Sequence, residues 1–225
     1  MHGKEKLVFG IIMVGILSAQ PKISAHLEMG LYSPELTGFK NSSLFPTPTS
    51  VTENILIGYG VSYQFYPNVR VGYASHNSFE IGNINTFPFT RTLTYREFSI
   101  ESFYRPWKRI EFNFTLSPMY NSGTISMTTD ATDQEWDNLL SDFGNPSSIV
   151  SRSDQMTTTW FGFTSSIGLR YHLFTWMSLE SKIGFMENYY DETKWTFQGD
   201  TVTGPVLNLS NVPMITMRII FGWGK

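Results

Sequence analysis

The stretch Ile55-Leu56-Ile57-Gly58-Tyr59-Gly60-Val61-Ser62-Tyr63-Gln64-Phe65-Tyr66 decides the fold. Ile55, Ile57, Tyr59, Val61, Tyr63 and Phe65 alternate with Leu56, Gly58, Gly60, Ser62 and Gln64. Side chains on a strand point alternately to its two faces, so this segment has one apolar, aromatic face and one that is mostly small or polar. Pro67-Asn68 then supplies a tight turn, and a second alternating segment begins.

The same period of two recurs along the chain. Phe112, Phe114 and Leu116 alternate with Glu111, Asn113 and Thr115; Phe161, Phe163, Ile167 and Leu169 with Gly162, Thr164, Ser166 and Gly168. Ile215, Met217, Ile219, Phe221 and Trp223 close the chain, with Thr216 and Arg218 between them. Eight segments are expected, at about 26–33, 54–66, 68–78, 92–104, 109–127, 157–173, 176–189 and 213–223. In the fourth, Leu93 and Tyr95 fall out of phase with Phe98 and Ile100, which predicts a bulge near Glu97. Connections alternate between tight turns (66–68, 105–108 and 174–175) and long polar stretches (34–53, 79–91, 128–156 and 190–212).

The polar face carries Glu28, Glu97, Glu101, Glu111 and Glu180 against Arg70, Arg109, Arg170, Lys182 and Arg218. A lone buried charge is costly, so equal numbers of acids and bases among small residues suit pairing inside a narrow barrel. The other face is too apolar for water along all eight segments, and a closed barrel satisfies its backbone in lipid. Tyr66, Tyr104, Trp107, Tyr171, Phe174 and Trp176 cluster at the short turns, while Tyr73, Tyr120, Trp160, Tyr189 and Tyr190 lie near the long loops. Two aromatic bands separated by aliphatic residues are what membrane interfaces select. The expectation is an all-β, eight-stranded antiparallel up-and-down transmembrane β-barrel with four long extracellular loops.

The chain has 225 residues, no cysteine, and 16 Lys+Arg against 19 Asp+Glu. Disulfides, thiolate zinc sites and cysteine nucleophiles are therefore absent, and the charge balance argues against a nucleic-acid partner. Lys4 and Lys6 followed by the apolar run Leu7 to Ala19 and by Ser24-Ala25 read as a secretory signal peptide over residues 1–25, leaving a barrel domain at 26–225. The run is too short to cross a bilayer core of about 30 Å as a helix.

With its export segment, strand count, turns such as Phe65-Tyr66-Pro67-Asn68 and aromatic-rich last strand, the chain resembles the small eight-stranded outer-membrane barrels of the OmpA-barrel, OmpX and OmpW kind. The resemblance implies residence in the bacterial outer membrane among its lipids. It also implies insertion by the barrel-assembly machinery, which reads a terminal aromatic strand. Here Gly224 and Lys225 follow Trp223, a departure from that pattern.

No cofactor, metal site or catalytic set is expected. No HExxH motif accompanies His26, His76 and His172. His172 is expected to be solvated at its turn. His76 and Ser78 share a strand face and faintly resemble the His-x-Ser of outer-membrane lipid A deacylases, but the shared face is the lumenal one. In the loop 128–156, Trp136, Leu139, Leu140 and Phe143 have the spacing of a short helix, offering a surface for a partner. The leading expectation is a non-enzymatic barrel serving surface interaction or envelope integrity through its loops. A narrow conduit for small hydrophobic molecules is the alternative, with Leu93, Tyr95, Met119 and Trp160 lining an apolar upper lumen. A lipid-modifying enzyme is a further one.

Overall fold

The computed structural model describes residues 22–34, 54–84, 87–129 and 152–223. Its strands are β1 (Ile23–Tyr32), β2 (Ile55–Tyr66), β3 (Val69–Ile84), β4 (Phe87–Trp107), β5 (Ile110–Thr129), β6 (Arg152–His172), β7 (Met177–Tyr189), β8 (Trp195–Phe197), β9 (Asp200–Val202) and β10 (Val212–Trp223). Eight of them form a ring in the order β1-β2-β3-β4-β5-β6-β7-β10, every neighbour antiparallel, closed by the β1–β10 seam. The short hairpin β8–β9 pairs with β6 and is not one of the ring strands.

The register fixes the shape. Leaving β5 at Glu111 and stepping from partner to partner, the path passes Arg170, Glu180, Arg218, Glu28, Gly58, His76 and Tyr95. It returns to β5 at Asn121, ten residues further along. A stagger of ten over eight strands tilts them by about 40°, and a ring of this size has an interior only wide enough for side chains.

Turns of one kind gather at one end. Pro67-Asn68 joins β2 to β3, with Asn68 at φ 63°, a left-handed conformation asparagine tolerates. Lys108-Arg109 joins β4 to β5, and residues 173–176 join β6 to β7. The outer ends of β1 and β10 lie here too: the Gln64 amide donates to the Lys22 carbonyl at 2.7 Å, and the Gly222 amide to the Trp176 carbonyl at 2.8 Å. This is the turn end; the opposite one is the loop end.

Three features differ from the sequence pattern. First, 79–84 and 87–91 are strand where a loop was expected: β3 and β4 remain paired as far as Ile84 and Phe87. Second, no bulge falls at Glu97, which pairs in unbroken register with Ala74 and Met119; the shift between β4 and β5 lies between Tyr104 and Trp107. Leu93 and Tyr95 point inward in phase with Glu97 and Glu101. The strand keeps its faces while the chemistry of the interior changes. Third, the segment after β7 carries a 3₁₀ turn (Glu192–Lys194) and the β8–β9 hairpin.

At the seam, Ile23, Ser24 and Ala25 pair with Trp223, Gly222 and Phe221. Cleavage after Ala25 would remove three rungs from the pairing that closes the ring; a cut upstream of Ile23 keeps them. The expected outcome of N-terminal sequencing of the membrane-inserted protein is a start at or before Lys22, whose carbonyl accepts from the Gln64 amide. A start at His26 would mean that the ring closes on a shortened β1.

Candidate functional site

The outer face is an apolar belt. Leu27, Met29, Ile57, Val61, Ile100, Phe114, Ile167, Ile183, Ile215 and Met217 are exposed on it. At the turn end it is bordered by exposed Tyr66, Tyr104, Trp107, Tyr171, Phe174 and Trp176, and on the loop side by Phe98, Tyr120, Phe161 and Tyr189. On β6 the step from Tyr171 to Phe161 is roughly 33 Å along the strand and about 25 Å after tilting, the height of the apolar band of a membrane barrel. Trp160 and Tyr190, expected in this upper band, instead turn inward, where Trp160 is buried and Tyr190 half-buried.

Inside, the charges toward the turn end form one network; the buried Glu80–Arg91 pair, 3.5 Å apart, lies farther toward the loop end. Along the spiral row, Glu28, Arg218, Glu180, Arg170 and Glu111 stand directly opposite one another on successive strands with alternating sign. Arg218 donates to Glu28 and lies 3.6 Å from Glu180, and Arg170 Nε donates to Glu180 Oε2 at 2.6 Å. Arg70 grips Glu111 with both terminal nitrogens, at 2.6 and 2.9 Å, and donates to Glu101 at 2.7 Å. Its guanidinium also lies 3.7 Å from the centre of the Phe103 ring. Glu101 further accepts from Arg170 at 3.1 Å and from Lys182 at 2.7 Å. Glu97 accepts from Arg218 at 3.4 Å and lies 3.5 Å from His76 Nε2. Every one of these charged side chains is buried. Space for them comes from small residues opposite. A Cβ on Gly58, which faces both Glu28 and His76, would come within 2.3 Å of His76 Nδ1.

Nine of the ten expected lumenal charges join this network; Arg109 does not. It is a turn residue, exposed, with Nη1 donating to Tyr171 Oη at 3.4 Å. Arg105 takes its place, donating to Glu111 at 2.7 Å. His172 is not solvated as expected: half-buried, it stands 2.8 Å from both Arg105 Nη2 and Ser178 Oγ, and 3.4 Å from Glu111. Arg70, Arg105, Arg170 and His172 surround a cavity of about 20 Å³ at the turn end, room for a single water. His76 and Ser78 are both buried on the inner face, away from the lipid side. Among the described residues no group of three or more His, Asp and Glu is placed to hold a metal ion.

Above this network, on the loop side, an apolar cluster fills much of the lumen. Tyr32, Leu56, Leu93, Tyr95, Met119, Ile125, Trp160 and Met186 form a buried cluster with Trp195, Leu207 and Leu209, which come from the segment between β7 and β10. Trp195 is fully buried, and its indole N–H donates to Tyr190 Oη at 2.7 Å, which in turn donates to the Pro205 carbonyl at 2.6 Å. Burial pushes the Tyr190 phenol up to about 12. The Asp191 carboxyl, next in the chain, is held below its ordinary value chiefly by the hydrogen bond from the Thr193 hydroxyl. Gly204 is required under the indole, since a Cβ there would lie 2.1 Å from Trp195 Cδ1. Asn188 ties the segment to the wall: its Nδ2 donates to the Leu209 carbonyl at 3.0 Å, and its Oδ1 accepts from Trp160 and Asn121. Leu93, Tyr95, Met119 and Trp160 were readable from the sequence as upper-lumen residues. Trp195 was not, because it lies in a polar stretch with no periodicity.

No protein-family model matches the sequence, and no curated protein matches it. Among solved structures, a major outer membrane protein from Thermus thermophilus is similar over 88% of this chain and 98% of its own, at 12% identity and a TM-score of 0.51. Ail, the attachment invasion locus protein of Yersinia pestis, aligns over 89% of this chain and 95% of its own at 10% identity, with a TM-score of 0.43. Neisserial surface protein A aligns over 89% and 96% at 8% identity, with a TM-score of 0.45. The Thermus likeness is one of fold alone. The closed eight-strand ring, the apolar belt and that shared fold are those of a small bacterial outer-membrane β-barrel.

Proposed function

We propose that this chain is a non-enzymatic, non-conducting barrel of the outer membrane that acts through the surface at its loop end, in surface interaction or envelope integrity. The observation that carries the reading is the filled lumen: a buried ion-pair layer with an apolar layer above it. An interior occupied twice over by side chains leaves the loop-end surface, and loop 128–156 in particular, as the working face; residues 130–151 lie outside the described ones. Delivery by an N-terminal signal peptide, cut upstream of Lys22 rather than after Ala25, and insertion through the barrel-assembly machinery, with β10 as the strand read, belong to the same proposal.

The test is electrical. Purified barrel in a planar bilayer is expected to give no current above an empty membrane. Stepwise conductance by the wild-type protein would overturn the reading in favour of a conduit. A second reading, a path for small hydrophobic molecules, has the apolar upper lumen in its favour. It requires Trp195 to leave that space, so uptake of a hydrophobic solute into vesicles by the wild-type barrel would support it. Lipid chemistry at His76 and Ser78 would require lipid to enter the lumen, since both side chains are buried there.

A further inference from the structure

We propose that the turn-end rim of the barrel binds anionic phospholipid headgroups. Lys22, Lys108 and Arg109 are exposed there, at the start of β1 and in the turn between β4 and β5. Among the described residues this rim has no exposed acid. The acid closest to it, Glu111, is buried and already engaged by Arg70 and Arg105. The cations stand at the level of exposed Tyr104, Trp107, Phe174 and Trp176, the aromatic border that marks the headgroup plane. Arg109 is held to that plane by its hydrogen bond to Tyr171. Guanidinium and ammonium groups fixed at headgroup height meet lipid phosphates directly.

The loop end is built differently. Asp191, Glu192 and Asp200 accompany Lys194 in the segment between β7 and β10, and Arg96 faces outward beside Ser122, to which it donates at 3.4 Å. Among the described residues the two ends therefore differ in sign, although the chain as a whole has a formal net charge of -3. The difference separates the proposal from general electrostatics. Net charge predicts that an anionic membrane repels this protein; the rim predicts that anionic lipid gathers around one end of it.

Tryptophan quenching in mixed vesicles reads that local enrichment. Barrel is reconstituted in equal parts phosphatidylcholine and phosphatidylglycerol, with brominated chains on one lipid and then on the other. Trp107 and Trp176 face this lipid directly. The wild type is expected to favour phosphatidylglycerol by about fivefold, the factor one lysine or arginine contributes near an anionic surface, and to lose the preference at high salt. The triple variant Lys22→Gln, Lys108→Gln, Arg109→Gln should show no preference, while Arg96→Gln with Lys194→Gln keeps it. Heat-dependent gel mobility establishes that each variant is folded. Equal quenching by the two lipids in the wild type, or a preference that survives in the triple variant, would overturn the proposal.

Discussion

Replacing Glu101 by leucine costs the barrel about 3–5 kcal/mol, the scale for removing one partner from a buried ion pair. Glu101 accepts from Arg70 at 2.7 Å, Arg170 at 3.1 Å and Lys182 at 2.7 Å, so its loss removes a counter-ion that three cations share; Arg70 keeps Glu111 and Arg170 keeps Glu180. Lys182 has only Glu180, at 3.4 Å, as a remaining ion partner. Urea unfolding in micelles, followed by tryptophan emission, measures the effect. The double variant Glu101→Leu, Lys182→Leu should recover part of the loss, because one acid and one base then leave together and the remaining charges balance. A single variant as stable as the wild type would mean that the network is not the principal support of the lumen.

Trp195→Ala removes a fully buried indole from the upper lumen, with an expected loss of ~3–5 kcal/mol. The indole lies over Gly204 and anchors the segment after β7 through Tyr190, so much of that loss should appear as local release of the segment. Protease cleavage between β7 and β10 should begin well below the urea concentration that opens the ring. The space vacated is lined by Leu93, Tyr95, Met119 and Trp160 and is expected to take up a small apolar dye. The variant should still carry no current, because the ion-pair layer beneath is untouched. A Trp195→Ala barrel that conducts would show the charged layer to be permeable and the indole to be the seal.

Much of this architecture was legible in the sequence, because lipid and lumen impose opposite demands on alternate residues. Wherever the outer face meets hydrocarbon, as on β2 or β7, alternation gives both the strand and its phase. The signal fades where that contrast ends. Toward the loop end, β3 continues with Phe79 and Ile81 exposed and Glu80 buried beside Arg91, an alternation too short to mark a strand, and the segment reads as a loop. Within β4, the interior changes from Glu97 and Glu101 to Leu93 and Tyr95, so polarity switches faces while the backbone keeps its register. Arg109 was assigned inward by counting back from Glu111. β5 begins at Ile110, however, and the shift between Tyr104 and Trp107 brings Arg105 to Glu111 instead. The placement of Trp195 depends on contacts with Gly204 and Tyr190 that no periodic pattern encodes.

The seam between β1 and β10 joins the two ends of the chain, which makes it the last place where alignment is decided. A slip of one residue there would turn an apolar face into the lumen and is opposed by every side chain on the strand. A slip of two keeps all faces correct, so hydrophobicity alone does not reject it. Charge does: in register Glu28 faces Arg218, whereas two residues off it faces Thr216 or Ile220. The Glu28–Arg218 pair thus also proofreads the closure of the ring, by making the nearest tolerable mistake take from the buried Glu28 the arginine opposite it.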